Sequence, residues 1–205
     1  AGMASAIPVD LELSLLVDVS GSISASEFTL QRQGYVDAFN NSSTWDAISQ
    51  GSIGSIAVNL IYWSSFNQQV EAVGWSLIDS YAASQSFANA IAATTRPFFN
   101  STGVQSALIF GANSFSTAYT GTRSVIDISG DGANNSGTGG TAGRDYALAN
   151  GVDTINGLVF DNNTGVLDYY MNNVIGGPNA FALQVSTIAE FGTAVDSKIV
   201  REIIN

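Results

Sequence analysis

Residues 11–22 read LELSLLVDVSGS, a near-continuous apolar run that ends in a cluster of small oxygen-bearing side chains. A run without polar alternation is typical of a strand buried on both faces, as in a parallel sheet. Asp18, Ser20 and Ser22 follow at every second position, and the glycine between the two serines permits a tight bend. This stretch therefore predicts a buried strand whose following turn gathers three oxygen ligands.

The rest of the chain alternates between strand-like and helix-like segments. Further strands are predicted at residues 55–63, 68–75, 124–129, 153–160 and 181–185. Helices are predicted at 24–40, 44–49, 81–94, 104–118, 142–150, 165–174 and 188–204. This alternation favours a single α/β fold: a doubly wound, mostly parallel sheet of about six strands with helices on both faces. The second and third strands are joined by only a few residues, which predicts an antiparallel strand at one edge.

The length of 205 residues fits one domain of this class. Residues 1–10 are interpreted as an N-terminal extension and residues 11–205 as the domain. No segment reaches the roughly 18 to 20 continuous apolar residues of a membrane span, so we expect none.

The composition excludes several classes of function. The chain contains no cysteine and no histidine, which excludes disulfides, zinc sites of the usual N/S type, and nucleophilic catalysis by Cys or by a His-activated Ser. A net charge of −11 opposes binding to nucleic acid, which requires a basic surface. A hard cation held by oxygen atoms, such as Mg²⁺, Ca²⁺ or Mn²⁺, remains compatible with these residues.

Two other segments are expected at the same edge of the sheet as the turn after the first strand. Thr102 lies in a loop that opens a predicted helix, and Asp131 follows the strand at 124–129 in the sequence S-G-D-G. Ligands of open α/β sheets bind outside the carboxyl ends of the strands. Together with Asp18, Ser20 and Ser22, these residues would supply two carboxylates and three hydroxyls.

These three elements resemble the von Willebrand factor A domain family over essentially the whole chain. The D-V-S-G-S turn is similar to that family's D-x-S-x-S motif, T-G-V-Q-S-A-L to its loop threonine, and S-G-D-G to its late aspartate. The sequences V-I-D-I-S-G-D-G-A-N-N and G-G-P-N-A-F resemble those of a bacterial branch of secreted proteins of undefined function. The resemblance implies a metal-ion-dependent adhesion site (MIDAS) formed by Asp18, Ser20, Ser22, Thr102 and Asp131.

The function that the resemblance implies is a protein-binding or adhesion module, not an enzyme. One divalent cation, with Mg²⁺ favoured over Ca²⁺ or Mn²⁺, would accept an exposed Asp or Glu of a protein partner. A secreted or cell-surface location is expected, and which aspartate contacts the ion directly stays open, as does any shift of the last helix. Two alternatives are a structural or assembly module without metal-dependent binding and a metal-assisted hydrolase.

Each site residue also has a purely structural interpretation. The turn at 18–22 would then be a polar turn before a helix, Thr102 a helix N-cap with Ser101 as the rival ligand, and Asp131 a turn residue. The loop at 131–141 would be either a rim loop or a second site for an ion such as Ca²⁺. Asp127 lies inside an apolar strand, where a buried carboxylate needs a partner. We expect it to support the metal residues from behind, with Arg144 or Arg123 as its countercharge.

Overall fold

The computed structural model describes residues 5–115, 118–160 and 164–204. Its strands are β1 (Ile7–Val9), β2 (Leu11–Asp18), β3 (Ile56–Trp63), β4 (Gln69–Ile78), β5 (Tyr119–Gly121), β6 (Ser124–Gly130), β7 (Thr154–Phe160) and β8 (Ala182–Val185). Its helices are α1 (Ala25–Asn40), α2 (Ser42–Ser49), α3 (Tyr81–Ala92), α4 (Val104–Ser114), α5 (Ala142–Ala149), α6 (Thr164–Asn173) and α7 (Ile188–Ile204).

The main sheet has six strands in the order β4-β3-β2-β6-β7-β8. Its pairs are parallel except for β3 with β4, which are antiparallel and place β4 at one edge. The predicted α/β class, the six strands and the antiparallel edge are therefore confirmed. The five residues between β3 and β4 are too few for a parallel crossover, which requires a dozen or more.

Two apolar cores cover the two faces of the sheet. One core contains residues of α1, α2, α3 and α7, and the other contains residues of α4, α5 and α6. Strand β2 contributes Leu13, Leu15 and Val17 to the first core and Leu16 to the second. Burial on both faces explains why this strand has no polar alternation.

A second, two-stranded sheet was not predicted. β1 pairs in parallel with β5, with Ile7 opposite Tyr119. Helix α4 accordingly ends at Ser114 instead of at the predicted residue 118, since the carbonyl of Ala118 accepts a hydrogen bond from the backbone of Ile7 at 2.9 Å. Residues 7–9, assigned to an N-terminal extension, thus belong to a sheet, and the proposed division at residue 10 stays a prediction.

Helix α1 begins with a capping box. Ser24 caps α1, accepting a bond from the Glu27 backbone at 3.2 Å while its own backbone donates to the Glu27 carboxylate at 2.7 Å. Within the described part of the chain, no helix combines the length and apolar character that a membrane crossing requires.

Candidate metal centre

Asp18 is the last residue of β2, and its side chain is completely buried. Its Oδ1 accepts a hydrogen bond from the backbone of Ser20 at 2.7 Å, which fixes the start of the turn. Its Oδ2 has no hydrogen-bond partner among the described residues. A buried acceptor without a partner is costly, so this oxygen is a candidate for a cation ligand.

The other four predicted residues converge beside Asp18. The Oγ atoms of Ser20 and Ser22 lie 3.2 Å apart, and the Ser22 hydroxyl donates to Asp131 Oδ1 at 2.8 Å. The Thr102 Oγ1 lies 3.5 Å from the Ser20 Oγ. Three loops that are distant in sequence therefore bring three hydroxyls and two carboxylates together, while the role of these residues as metal ligands stays a prediction.

The electrostatics of this cluster disfavour two bare carboxylates. Burial is the largest cause, and the negative charge of Asp131 the second, of a rise in the pKa of Asp18 to about 7. Hydrogen bonds from Ser20 and from the backbone of Asp131 lower the pKa of Asp18 but do not offset this rise. A divalent cation would stabilise both carboxylates.

The donor set fits an oxygen-preferring cation. Carboxylates and hydroxyls are hard ligands of the kind that Mg²⁺, Mn²⁺ and Ca²⁺ bind. Within the described ranges, no three His, Cys, Asp or Glu residues lie close enough to form a metal site by themselves. The candidate centre therefore depends on the hydroxyls of Ser20, Ser22 and Thr102.

Thr102 is not the N-cap of α4. Gly103 takes that position and makes no side-chain capping bond, whereas the Thr102 hydroxyl is directed to Ser20. Ser101, the rival ligand, is exposed, and Thr102 is buried.

Arg96 is a site residue that the sequence interpretation missed. Its guanidinium donates to the carbonyls of Val19 and Ser20, with the shortest bond 2.6 Å to Ser20, and to the carbonyl of Ile23 at 2.7 Å. These contacts hold the turn that carries the two serines. The only trace in the sequence is one Arg, among six Lys and Arg, in the loop before Thr102.

The loop at 131–141 is attached to the same centre. The Asn135 Oδ1 accepts from the backbone of Thr102 at 2.8 Å, and the Asn134 Oδ1 accepts from the backbone of Gln105 at 3.2 Å. Both amide oxygens are therefore engaged in positioning the start of α4. This leaves them poorly suited to the second ion that was considered for this loop.

Asp127 is placed differently from the sequence expectation. It forms an ion pair with the buried Lys198 of α7, which also contacts Glu202 at 2.7 Å. Arg144 instead pairs with Asp145, and Arg123 donates to the carbonyls of Glu202 and Ile203, so both expected countercharges are wrong. Asp127 lies opposite Leu15, three residues before Asp18 and hence about 10 Å away along the strand. It anchors α7 to the sheet through Lys198, and the expectation that it supports the metal residues stays a prediction.

Comparisons with known proteins agree with this fold. The chain matches, over residues 8–205, the sequence profile of a family described as "Protein of unknown function (DUF1194)". No curated protein matches it.

Solved structures with the same fold include the following three. Proximal thread matrix protein 1 from the mussel byssus, with a zinc-occupied MIDAS motif, is 15% identical at a TM-score of 0.69, with 98% of this chain and 48% of that chain covered. The pilus adhesin SpaC from Lactobacillus rhamnosus GG is 14% identical at a TM-score of 0.67, with 98% of this chain and 31% of the adhesin covered. A von Willebrand factor type A structure from Catenulispora acidiphila is 12% identical at a TM-score of 0.64, with 95% of this chain and 43% of that chain covered.

The chain spans about half the length of the mussel protein and less of the other two. At these identities the likeness concerns the fold alone, and it confirms the predicted von Willebrand factor A architecture.

Proposed function

From its site we propose that this chain, which belongs to the DUF1194 family of proteins of unknown function, is a metal-dependent protein-binding module. The observation that carries the proposal is the convergence of oxygen atoms from three loops beside Asp18, a buried carboxylate whose Oδ2 has no hydrogen-bond partner among the described residues. Asp18, Ser20, Ser22, Thr102 and Asp131 would hold one divalent cation. Mg²⁺ is the favoured ion, with Ca²⁺ and Mn²⁺ as alternatives.

The exposure of these residues differs between the two sides of the site. Asp18, Ser20 and Thr102 are buried, whereas Ser22 is exposed and Asp131 is partly exposed. A cation held among them would be enclosed on the side of the sheet and open on the side of Ser22 and Asp131. An incoming carboxylate would complete its coordination from that open side, since Mg²⁺ prefers oxygen ligands in octahedral geometry.

The partner would be a protein that presents an exposed Asp or Glu. The mussel thread matrix protein and the pilus adhesin, whose fold this chain shares, support an adhesive or assembly role outside the cell. A low content of charged residues, 11%, and the lack of cysteine agree with a secreted or surface location. With neither His nor Cys available, the hydrolase alternative rests on the metal ion alone.

Isothermal titration of metal-stripped protein with Mg²⁺, Mn²⁺ and Ca²⁺ tests the proposal. We expect one saturable binding event that Ser20→Ala and Ser22→Ala weaken at least tenfold, about 1.4 kcal/mol. Ser52→Ala, in the exposed turn before β3, serves as the control and should bind like the wild type. Equal binding by all four proteins would overturn the assignment of these residues, and no metal-dependent heat from the wild type would leave a structural module. Turnover of model phosphate or carboxylate esters with Mn²⁺ would instead support the hydrolase.

A further inference from the structure

The geometry points to a second recognition element beside the metal, and this inference rests on the proposed function. We infer that the partner carries an apolar side chain within a few residues of its metal-binding carboxylate. That side chain would fill the cleft between Phe66 and the outer face of α4, here called the Phe66 groove. The partner would therefore be a protein segment with one carboxylate in apolar surroundings, not an acidic run.

Two exposed phenylalanines flank the candidate metal centre. The side chain of Phe66 is 56% exposed and that of Phe99 is 63% exposed. The other aromatic side chains among the described residues are buried or only partly exposed. Aromatic residues are enriched at the centres of protein interfaces, because they bury a large apolar area at low entropic cost.

Phe66 lies directly beside the loop that carries Thr102. Its backbone nitrogen is only 2.8 Å from the position that a Cβ on Gly103 would take, so the two backbones are in contact. The same nitrogen donates to Ser136 Oγ at 3.2 Å, and the backbone of Ser136 donates to the Thr102 carbonyl at 3.1 Å. Phe66 is therefore fixed next to one proposed ligand of the metal.

Phe99 lies on the side of the serine turn. Its carbonyl oxygen is 2.9 Å from the position of a Cβ on Gly21, the residue between Ser20 and Ser22. The Arg96 guanidinium stacks over the Phe99 ring at 4.4 Å from its centroid, which holds the ring in place. A partner that reaches the metal would pass between two exposed aromatic rings.

The Phe66 groove has an apolar floor and an uncharged rim. Its volume is about 330 Å³, near the lower end of the roughly 300–1,000 Å³ typical of ligand clefts. It is lined by Phe66, Ile109 and Phe110, with Gln69, Ser106 and Asn113 among its polar residues. The α4 members are spaced as one helical face, opposite the face that α4 buries in the core.

Charge complementarity decides the kind of partner. The chain has a net charge of −11, and none of its six Lys and Arg residues lines the groove. The nearest cation to the centre, Arg96, is occupied by backbone carbonyls. Only the metal is therefore available to receive a carboxylate, and further acidic residues would meet a negative surface. The groove beside the metal favours an uncharged apolar side chain.

A random 12-residue peptide library displayed on phage tests this inference. The library would be selected on Mg²⁺-loaded protein, and bound phage would be eluted with EDTA. We expect the enriched peptides to combine one Asp or Glu with a Phe, Leu or Ile within about three residues, a reach of roughly 10 Å. Enrichment of acidic runs, or of a carboxylate without apolar neighbours, would overturn the inference.

Synthetic versions of an enriched peptide then separate the two proposals. Replacing its carboxylate by the amide should abolish Mg²⁺-dependent binding, which tests the metal site. Replacing its apolar residue by Ser should weaken binding at least tenfold, and the same peptide should lose as much on the Phe66→Ser protein.

The control is Ile53→Ser. Ile53 is also exposed, but it precedes β3 and so lies at the amino end of that strand, whereas Phe66 follows its carboxyl end. This variant should bind the peptide like the wild type. Metal affinity, measured by titration, should be unchanged in both variants. Unaltered peptide binding by Phe66→Ser would overturn the groove while the metal site stands. A lack of any Mg²⁺ binding would overturn the proposed function and the inference with it.

Discussion

Asp18 is the residue on which the site depends most, because it is a buried carboxylate whose second oxygen has no hydrogen-bond partner in the described structure. Its pKa of about 7 lies far above the ordinary 3.8. That difference corresponds to roughly 4 kcal/mol of disfavoured ionisation without a bound cation. Asp18 carries this free-energy cost of ionisation at a buried position where a hydrophobic residue would pack well. We take this as support for a ligand role.

Replacing Asp18 by Asn should therefore act in opposite directions with and without metal. In EDTA at about pH 8, we expect Asp18→Asn to be more stable than the wild type by about 1–3 kcal/mol, because a buried unpaired charge is removed. At about pH 4, where the native carboxyl already holds its proton, the difference should vanish. With saturating Mg²⁺, only the wild type should gain stability. Urea unfolding measures all three conditions, and a variant less stable than the wild type at pH 8 in EDTA would contradict this assignment.

Gly130 provides a second test at the residue scale. A Cβ there would stand 2.6 Å from the Tyr170 hydroxyl and 2.9 Å from Asp18 Oδ2. Gly130→Ala should therefore destabilise the protein by about 1–3 kcal/mol through overpacking, and Tyr170→Phe should restore part of that loss. Gly139→Ala is the matched control, since nothing lies within 4 Å of its Cβ position. Equal unfolding free energies for the two alanine variants would show that the site is looser than described.

At the scale of elements, the loops of the site are held by bonds to the backbone. Arg96 is the strongest example, because one guanidinium joins the carbonyls of Val19, Ser20 and Ile23. A lysine would retain the charge but lose the planar fork of donors.

We expect Arg96→Lys to lower the free energy of unfolding by roughly 2 kcal/mol and to weaken Mg²⁺ binding. Arg32→Lys is the comparison, since among the described residues Arg32 makes one hydrogen bond, to the Thr94 carbonyl at 2.6 Å, and stacks over the Phe28 ring. Chemical unfolding and metal titration should show a clear loss for the first variant and a small one for the second. Metal affinity that is the same for both would mean that the turn keeps its shape without Arg96.

The last helix is anchored by a buried charge cluster. Lys198 pairs with both Asp127 and Glu202, and Glu202 also accepts from the Asn156 amide at 3.0 Å. Burial, and second to it the charge of Asp127, raise the pKa of Glu202 to about 7 although Lys198 and Asn156 act in the opposite direction. One ammonium does not fully offset two buried carboxylates.

This cluster predicts a pH dependence of stability. The folded-state pKa of Glu202 lies above the unfolded value of 4.5, so the folded chain keeps a proton that the unfolded chain releases. Stability should then fall as the pH rises from about 4.5 to about 7 and change no further above that. Glu202→Gln should remove this pH-dependent fall in stability. Glu190→Gln, at an exposed residue of the same helix, should leave it in place. Urea unfolding in EDTA across this range measures it, and parallel curves for wild type and Glu202→Gln would refute the prediction.

At the scale of the whole molecule, the features that could be predicted are those that depend on residues close together in the sequence. The buried strand that ends at Asp18 follows from its near-continuous run of apolar residues, and the capping box follows from the spacing of Ser24 and Glu27. The meeting of the serine turn with Thr102 and Asp131 was expected from the rule for the carboxyl ends of strands and from the family resemblance.

The missed features depend on contacts between distant segments. Arg96 binds backbone carbonyls, which carry no side-chain pattern, and β1 pairs with β5 over more than a hundred residues. Lys198 lies in an amphipathic helix, where a lysine ordinarily faces water, so its pairing with Asp127 gave no sequence signal.

A crystal structure of the protein grown with Mn²⁺, with anomalous scattering used to locate the ion, addresses the site most directly. We expect a single Mn²⁺ peak bounded by the hydroxyls of Ser20, Ser22 and Thr102, with one coordination position facing solvent. Density for water alone among these hydroxyls at saturating Mn²⁺, or a peak elsewhere in the chain, would contradict a metal-dependent binding module.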